Sequence, residues 1–285
     1  MTTLPLDNLI AAAKARHSVR TFSPESVSED AVSQIEIFTR QLAVPFAHER
    51  TLQYFKAQPG KKLYNNGVNP PDNFALMSQT DLVSISKTGF IGELVMLYIV
   101  SLGLGTCWFG HYKLAEVGRY VDGIAAPERI RESTLGYGYG NHVDVGERVI
   151  CCMPFGRADE NSKRLIDRIM RKKGANRKPL SELMENPAAL TGMPEAVCEA
   201  LDLAALAPSA GNSQMWRFGY DAATKTVTVA KPVGYKHFKW EHSDVDIGIC
   251  AAHIWLGLQK RGHAPRVTVR QEQDRALWEF ELRPH

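Results

Sequence analysis

Apolar positions along this chain follow helical spacing in some stretches and strand spacing in others. Between Asp7 and Arg20, Leu9, Ile10, Ala13 and Val19 fall on one stripe and Asp7 can cap its start, so the spacing predicts a helix over 7–20. Ser23-Pro24-Glu25-Ser26 ends it. A second helix is expected from near Ser28 to about Leu42, stopped by Pro45. Residues 56–80, rich in Gly, Pro, Asn and Lys, read as loop with short strands. A long apolar helix follows from Thr88 to about Leu102, where Gly103 suits a left-handed C-terminal cap. Lys113 to Tyr120 suggests another helix. Val149-Ile150-Cys151-Cys152-Met153, inside Arg148–Phe155 and bounded by glycine, reads as a buried strand.

After a basic stretch the pattern restarts. A helix is expected from about Pro194 to Leu206, a loop over 207–214, and strands near 215–220 and 226–231. A helix over 246–261 and a final strand pair complete it. Gly89 and Gly103 bracket 13 mostly apolar residues, and Gly248 and Gly262 bracket 13 more. The shorter helix ahead of each ends in a Leu-Ala pair, Leu42-Ala43 and Leu206-Ala207. Ten residues beyond come Leu52 and Trp216, and then Tyr54 and Phe218. This is the pattern of a diverged internal duplication of helix, loop, strand and long helix. Its period of roughly 160 residues is too long for a solenoid.

Composition narrows the class. Of 285 residues, 44% are hydrophobic and 23% charged, which excludes disordered and fibrous chains. The net charge of +3 is too small and too dispersed to point to nucleic acid. The basic residues gather between Arg157 and Lys178, where most are expected to form a solvated helix face. The five cysteines, Cys107, Cys151, Cys152, Cys198 and Cys250, lack CxxC spacing. They imply neither a zinc site nor a disulfide framework, only reduced buried thiols in a cytoplasmic protein. The N-terminus shows no basic region followed by an apolar core, so no signal peptide is expected. The uncharged run Leu94–Gly110 is short for a membrane span and carries three glycines, and is read as a buried core helix.

Three clusters carry chemistry. In Arg16-His17-Ser18-Val19-Arg20, two guanidiniums four positions apart would share a helix face, with a serine hydroxyl between them, a set suited to phosphate. The loop Ala207-Pro208-Ser209-Ala210-Gly211-Asn212-Ser213-Gln214 offers short polar side chains and a glycine that lets a ligand approach the backbone. In Gly103-Leu104-Gly105-Thr106-Cys107-Trp108-Phe109-Gly110, a long apolar helix delivers glycines and aromatics suited to a planar ligand. No Gly-x-Gly-x-x-Gly follows a strand, so no Rossmann nicotinamide domain is expected, and Gly136-Tyr-Gly-Tyr-Gly reads as hairpin or loop.

Taken together these segments resemble the nitroreductase-like FMN oxidoreductases. The Arg-x-Ser-x-Arg signature is matched at Arg16, Ser18 and Arg20. The Pro-Ser-x-x-Asn-x-Gln-Pro-Trp loop is matched at Pro208, Ser209, Asn212, Gln214 and Trp216, with Met215 in place of proline. Gly-Leu-Gly-Thr-Cys-Trp is matched at 103–108, and Arg-Lys-Pro-Leu at Arg177–Leu180. The resemblance implies an α+β nitroreductase-like fold, with antiparallel-rich sheets and a long central helix per repeat. It further implies repeats over 1–160 and 191–285 joined by a basic crossover at 161–190. The family's Pro-Ser loop usually follows the Arg-Ser-Arg helix closely. Here that place holds Val44-Pro45-Phe46-Ala47-His48 and the loop stands in the second repeat, as in a fused, single-chain pseudo-dimer.

By resemblance, FMN would be held by Arg16, His17, Ser18, Arg20, Gly110, His111, Arg177, Lys178, Pro208, Ser209, Ala210 and Asn212. NAD(P)H would be the co-substrate and a small electron acceptor the partner, with no nucleic acid or membrane involved and the chain a monomer or weak homodimer. Residues 180–190 hold no arginine for a second site, so one FMN per chain is expected. The alternative reading is a flavin-binding or degenerate scaffold without catalysis.

Overall fold

A computed structural model describes residues 4–48, 52–58, 62–64, 69–121, 147–159, 161, 168–169, 172, 174–237 and 242–283. The glycine-tyrosine segment 136–140 and much of the basic stretch lie outside the described residues.

The first repeat contains helix α1 (Leu6–Ala15), helix α2 (Glu29–Gln41), strands β1 (Leu52–Lys56) and β2 (Asp72–Gln79), and the long helix α3 (Leu82–Ser101). Strand β3 (Gly105–Thr106), the single turn α4 (Leu114–Val117) and strand β4 (Glu147–Gly156) follow. The short helix α5 (Leu180–Leu183) leads into the second repeat. That repeat has helix α6 (Glu195–Ala205), strands β5 (Arg217–Asp221) and β6 (Thr226–Ala230), helix α7 (Asp244–Lys260), and strands β7 (Arg266–Glu272) and β8 (Arg275–Glu281). Each repeat runs helix, two strands, long helix, two strands. Each builds a four-stranded antiparallel sheet of matching order, β1-β2-β4-β3 and β5-β6-β8-β7. The duplicated pattern in the sequence is thus a duplicated topology.

The two long helices pack against each other at the centre, and glycine makes their approach possible. A Cβ on Gly89 would lie 2.2 Å from the carbonyl oxygen of Val245, and one on Gly248 would lie 1.7 Å from that of Ser86. Each glycine meets the residue three positions before its counterpart, the reciprocity of an isologous twofold contact folded into one chain. Helix α3 satisfies the length and composition of a membrane-crossing segment, yet 72% of its most apolar window is buried inside the protein. Around this seam the apolar core is continuous across both repeats, with Trp216, Trp278, Phe74, Phe90, Phe155 and Phe280 among its fully buried side chains.

Several boundaries differ from the pattern-based expectation. Helix α1 ends at Ala15, because Arg16 turns extended and Val19 N–H donates to the Thr106 carbonyl at 3.0 Å. Arg16 to Arg20 is therefore an extended strip beside β3 and not a helix face. Helix α3 begins six residues before Thr88, capped by Asp81, whose carboxylate accepts from Ser84 N–H. The polar residues that obscured its start are occupied: Ser86 accepts from the Trp278 indole at 2.8 Å, and Thr88 donates to the Ser84 carbonyl at 3.0 Å. Residues 72–79 form a full strand, although Pro70-Pro71-Asp72-Asn73 resembled loop. Asp72 and Asn73 are buried because Tyr54, Tyr64 and Val27 N–H satisfy them. All five cysteines are unpaired, and four of them are buried.

Candidate functional site

The extended strip Arg16–Arg20 from repeat one and the loop Pro208–Gln214 from repeat two face each other across a cleft. The segment 174–178 lies alongside both. The cleft has a volume of about 200 Å³ and is open on one side. Arg16, His17, Ser18, Arg20, Gly174, Ala175, Arg177, Pro208, Ser209, Gly211 and Asn212 line it. Eight of the twelve residues singled out from sequence are in this lining. Gly110, His111, Lys178 and Ala210 are not. Gly211, the loop glycine expected to let a ligand approach, is in the lining, and Gly174 and Ala175 are additions that no motif marked.

The second-repeat wall is tightly determined. Arg177 donates to the Ala207 carbonyl at 2.7 Å and to Asn212 Oδ1 at 3.3 Å. Asn212 and Gln214 both donate side-chain N–H groups to the Asn176 carbonyl, at 2.8 and 3.0 Å. Gln214 Oε1 accepts Lys178 N–H at 2.9 Å, and Ser209 Oγ accepts Gln214 N–H at 3.0 Å. Lys178 Nζ reaches the Ser213 and Gln214 carbonyls, so its ammonium braces the loop from behind. Ala210 N–H donates to the buried carboxyl of Asp246, the third residue of α7, at 2.9 Å. These bonds hold Gly211, Asn212 and Gln214 at positive φ of 58°, 56° and 47°, a costly conformation for the two non-glycine residues.

The electrostatics are one-sided. Arg16, Arg20 and Arg177 converge, and no carboxylate is among the described lining residues. Burial, and then the neighbouring Arg16 charge, push Arg177 down to about 10, while Glu93 works in the opposite direction. Cations crowded to this extent are relieved by an anion, and arginine offers the bidentate geometry that phosphate oxygens accept. Arg16 donates to Ser18 Oγ at 3.2 Å and Arg20 to the Ser18 carbonyl at 3.4 Å, which turns both guanidiniums along the same strip.

The quasi-equivalent place in repeat one is built differently. There Phe46 inserts into the core against Phe90 and Trp278, with ring centroids 5.1 and 5.3 Å away. Lys87 occupies in α3 the position that Asp246 occupies in α7, and it donates to the Ala47 carbonyl at 2.9 Å. An anchoring carboxyl that receives an amide in one repeat is replaced by an ammonium that grips a carbonyl in the other.

The chain is thus a duplicated α+β fold with two reciprocal long helices and, among the described residues, a cationic cleft between its halves. The family profile described as "Putative TM nitroreductase" matches residues 8–122 and 139–258, and the chain belongs to that family. A crystal structure described as a "putative nitroreductase" from Thermotoga maritima shares the fold, with a TM-score of 0.62 at 21% identity, covering 97% of this chain and 94% of that one. A nitroreductase family protein from Clostridium difficile aligns at a TM-score of 0.40 and 14% identity, over 64% of this chain and 96% of its own. A "putative nitroreductase" in complex with FMN from Desulfovibrio desulfuricans aligns at 0.39 and 16%, over 65% and 98%. No curated protein matches the sequence.

Proposed function

We propose that this chain is an FMN-dependent NAD(P)H oxidoreductase, with one FMN per chain, that reduces small acceptors such as nitroaromatics or quinones. The observation that carries the reading is the convergence of three guanidiniums, without a lining carboxylate, in a cleft built from both halves of a nitroreductase-family chain. In this reading Arg16, Arg20 and Arg177 hold the phosphate. Ser18, Ser209 and Asn212 meet the ribityl hydroxyls or the ring edge, and His17 and Pro208 shape the wall. The backbone at Gly110 and His111 lies towards the ring. Lys178 and Ala210 act through the loop, one bracing its carbonyls and the other pinning it to Asp246. FMN supplies the hydride chemistry when bound, and the protein supplies position, electrostatics and an open face that nicotinamide and acceptor use in turn, giving ping-pong kinetics. The loop 44–48, which lacks the serine and asparagine and packs Phe46 against Phe90 and Trp278, supports a single FMN. We further infer a cytoplasmic monomer or weak homodimer, since fusion supplies within one chain the interface that two subunits otherwise form.

The visible absorption spectrum before and after anaerobic NADPH or NADH tests this. Flavin bands that bleach, at one FMN per chain, are expected. Bands that persist would make the protein a flavin carrier, and a colourless protein that takes up no added FMN would overturn the reading. A ratio near two would overturn the single site.

A further inference from the structure

Behind the cleft, where the long helices cross, lies a closed polar network inside an otherwise apolar core. Glu93 on α3 and His253 on α7 are both fully buried, with Glu93 Oε1 2.9 Å from His253 Nε2. The other carboxyl oxygen of Glu93 accepts the Trp108 indole N–H at 2.9 Å. The other ring nitrogen of His253 lies 3.1 Å from the Leu203 carbonyl of α6. The indole rests against α3 at Gly92, where a Cβ would lie 2.5 Å from its ring edge.

The proton count in this network is constrained. The Leu203 carbonyl only accepts, so His253 Nδ1 carries hydrogen. The indole only donates, so Glu93 Oε2 is an acceptor. One proton remains, between Nε2 and Oε1. The indole hydrogen bond to Oε2 and the ring nitrogen at Oε1 suit a carboxylate, both of whose oxygens accept. A buried carboxylate in turn requires a cation, and the imidazolium beside it supplies one.

We propose that Glu93 and His253, one from each repeat, form a buried ion pair that positions Trp108, and with it the strip from Gly105 to His111, and that turns the negative end of its dipole towards the flavin cleft. Neither residue lines the cleft; they are positioning residues. Trp108 lies between two fixed points. Thr106 bonds the Arg16–Arg20 strip through Val19 N–H, and Phe109 exchanges backbone hydrogen bonds with Cys152 of β4 at 2.9 Å each way. An indole free to rotate would loosen both the strip under Ser18 and the backbone leading to Gly110. The dipole of the pair points its carboxylate towards Trp108 and its imidazolium towards α6, so the nearer end is negative. This inference rests on the FMN reading for its redox consequence but not for the ion pair itself.

Three variants separate positioning from charge. In Glu93→Gln the amide oxygen accepts from Trp108, the amide N–H donates to a neutral His253, and every polar atom keeps a partner. The fold and FMN affinity are then expected to stay within about threefold of wild type, while the dipole of the pair is gone. The bound flavin should become easier to reduce by about tenfold in its equilibrium constant, or about 30 mV for a two-electron couple. Glu93→Ala leaves Trp108 and His253 unpartnered and should weaken FMN at least tenfold. Trp108→Phe, which keeps the ion pair and loses the indole donor, should weaken FMN without abolishing folding, and it covers the case in which Glu93→Ala does not fold. Nitrogen-15 NMR of the apo-protein should show both His253 ring nitrogens protonated in wild type and one in Glu93→Gln. A neutral His253 in wild type would overturn the ion pair, and an unchanged potential in folded Glu93→Gln would overturn its influence on the flavin. Wild-type FMN affinity in Trp108→Phe would overturn the positioning role. The NMR result needs no flavin, so a colourless protein would defeat the FMN reading alone.

Discussion

Gly248→Ala places a methyl group where the structure has no space. The added Cβ would stand 1.7 Å from the Ser86 carbonyl oxygen, with Phe90 N at 2.9 Å, whereas ordinary contact begins near 3.4 Å. Both obstacles are backbone, so no side chain can rotate away. Helices α3 and α7 must separate by about 1.5 Å, and the residues packed around the seam must follow. Overpacking of this kind costs about 1–3 kcal/mol and occasionally more. The better helix propensity of alanine returns about 1 kcal/mol. With backbone on both sides of the clash the upper end of the cost applies, for a net loss of about 2 kcal/mol, a substantial part of the roughly 5–15 kcal/mol typical of whole proteins. Urea unfolding followed by tryptophan emission should show the midpoint falling by about 1 M for a slope near 2 kcal/mol/M. FMN affinity should fall with it, because the cleft takes one wall from each repeat. Gly103→Ala is the contrast. Its φ of +77° makes alanine strained there, yet nothing lies within 4 Å, so the cost of about 1–2 kcal/mol should leave FMN affinity alone. Once the helices are apart a second methyl meets less resistance, so Gly89→Ala with Gly248→Ala should cost less than the sum of the single changes. A Gly248→Ala protein as stable as wild type would refute the argument that this seam sets the spacing of the two halves.

Two further outcomes test the cleft. Replacing Arg16 and Arg20 together by Ala should weaken FMN binding, measured by flavin fluorescence, by at least tenfold more than replacing the exposed pair Lys260 and Arg266. Equal losses would contradict the phosphate assignment. Asp246, held chiefly by burial at about 8 instead of 3.8, with Asp244 adding to the rise and the Ala210 amide opposing it, keeps its proton in the folded chain at neutral pH. Between about 4 and 8 the folded state therefore binds a proton that the unfolded chain has released, so this contribution to stability is complete below 4 and is lost as pH rises through 8. Asp246→Asn keeps an acceptor for Ala210 and cannot ionise. Urea midpoints from pH 5 to 9 should decline less steeply in the variant than in wild type, and identical slopes would contradict the assignment.

Long amphipathic or wholly apolar stretches were legible in the sequence because their period depends on neighbours a few residues away. The helices ending near Gln41, Ser101, Ala205 and Lys260, the strand through Cys151 and Cys152, and the repetition of the pattern are all local facts. The ends of elements were less so. Arg16–Arg20 looked helical by periodicity, but the bond between Val19 and Thr106, residues far apart in the chain, draws it into an extended strip. Strand β2 was hidden by Asp72 and Asn73, polar residues that are buried only because tyrosines from elsewhere satisfy them.

The arginine strip, the Pro-Ser-Ala-Gly-Asn loop and the Arg-Lys segment were each visible as motifs, because the chemistry proposed for them requires particular residue types at short spacing. That they face one another across a single cleft was decided by the crossing of α3 and α7, which brings residues some 190 positions apart to opposite walls. Glu93 stands as a lone acid inside an apolar run, and no motif or spacing in the sequence singled it out, although a buried carboxylate is costly alone. Only the tertiary structure names His253 as its partner, because the two meet through space across a seam whose width is set by Gly89 and Gly248. Residue type and period act along the chain, and so the sequence by itself determined the repeats and the chemistry they carry. Packing acts across the chain, and it alone decided which distant segments meet at the cleft and that Phe46 packs against Phe90 and Trp278.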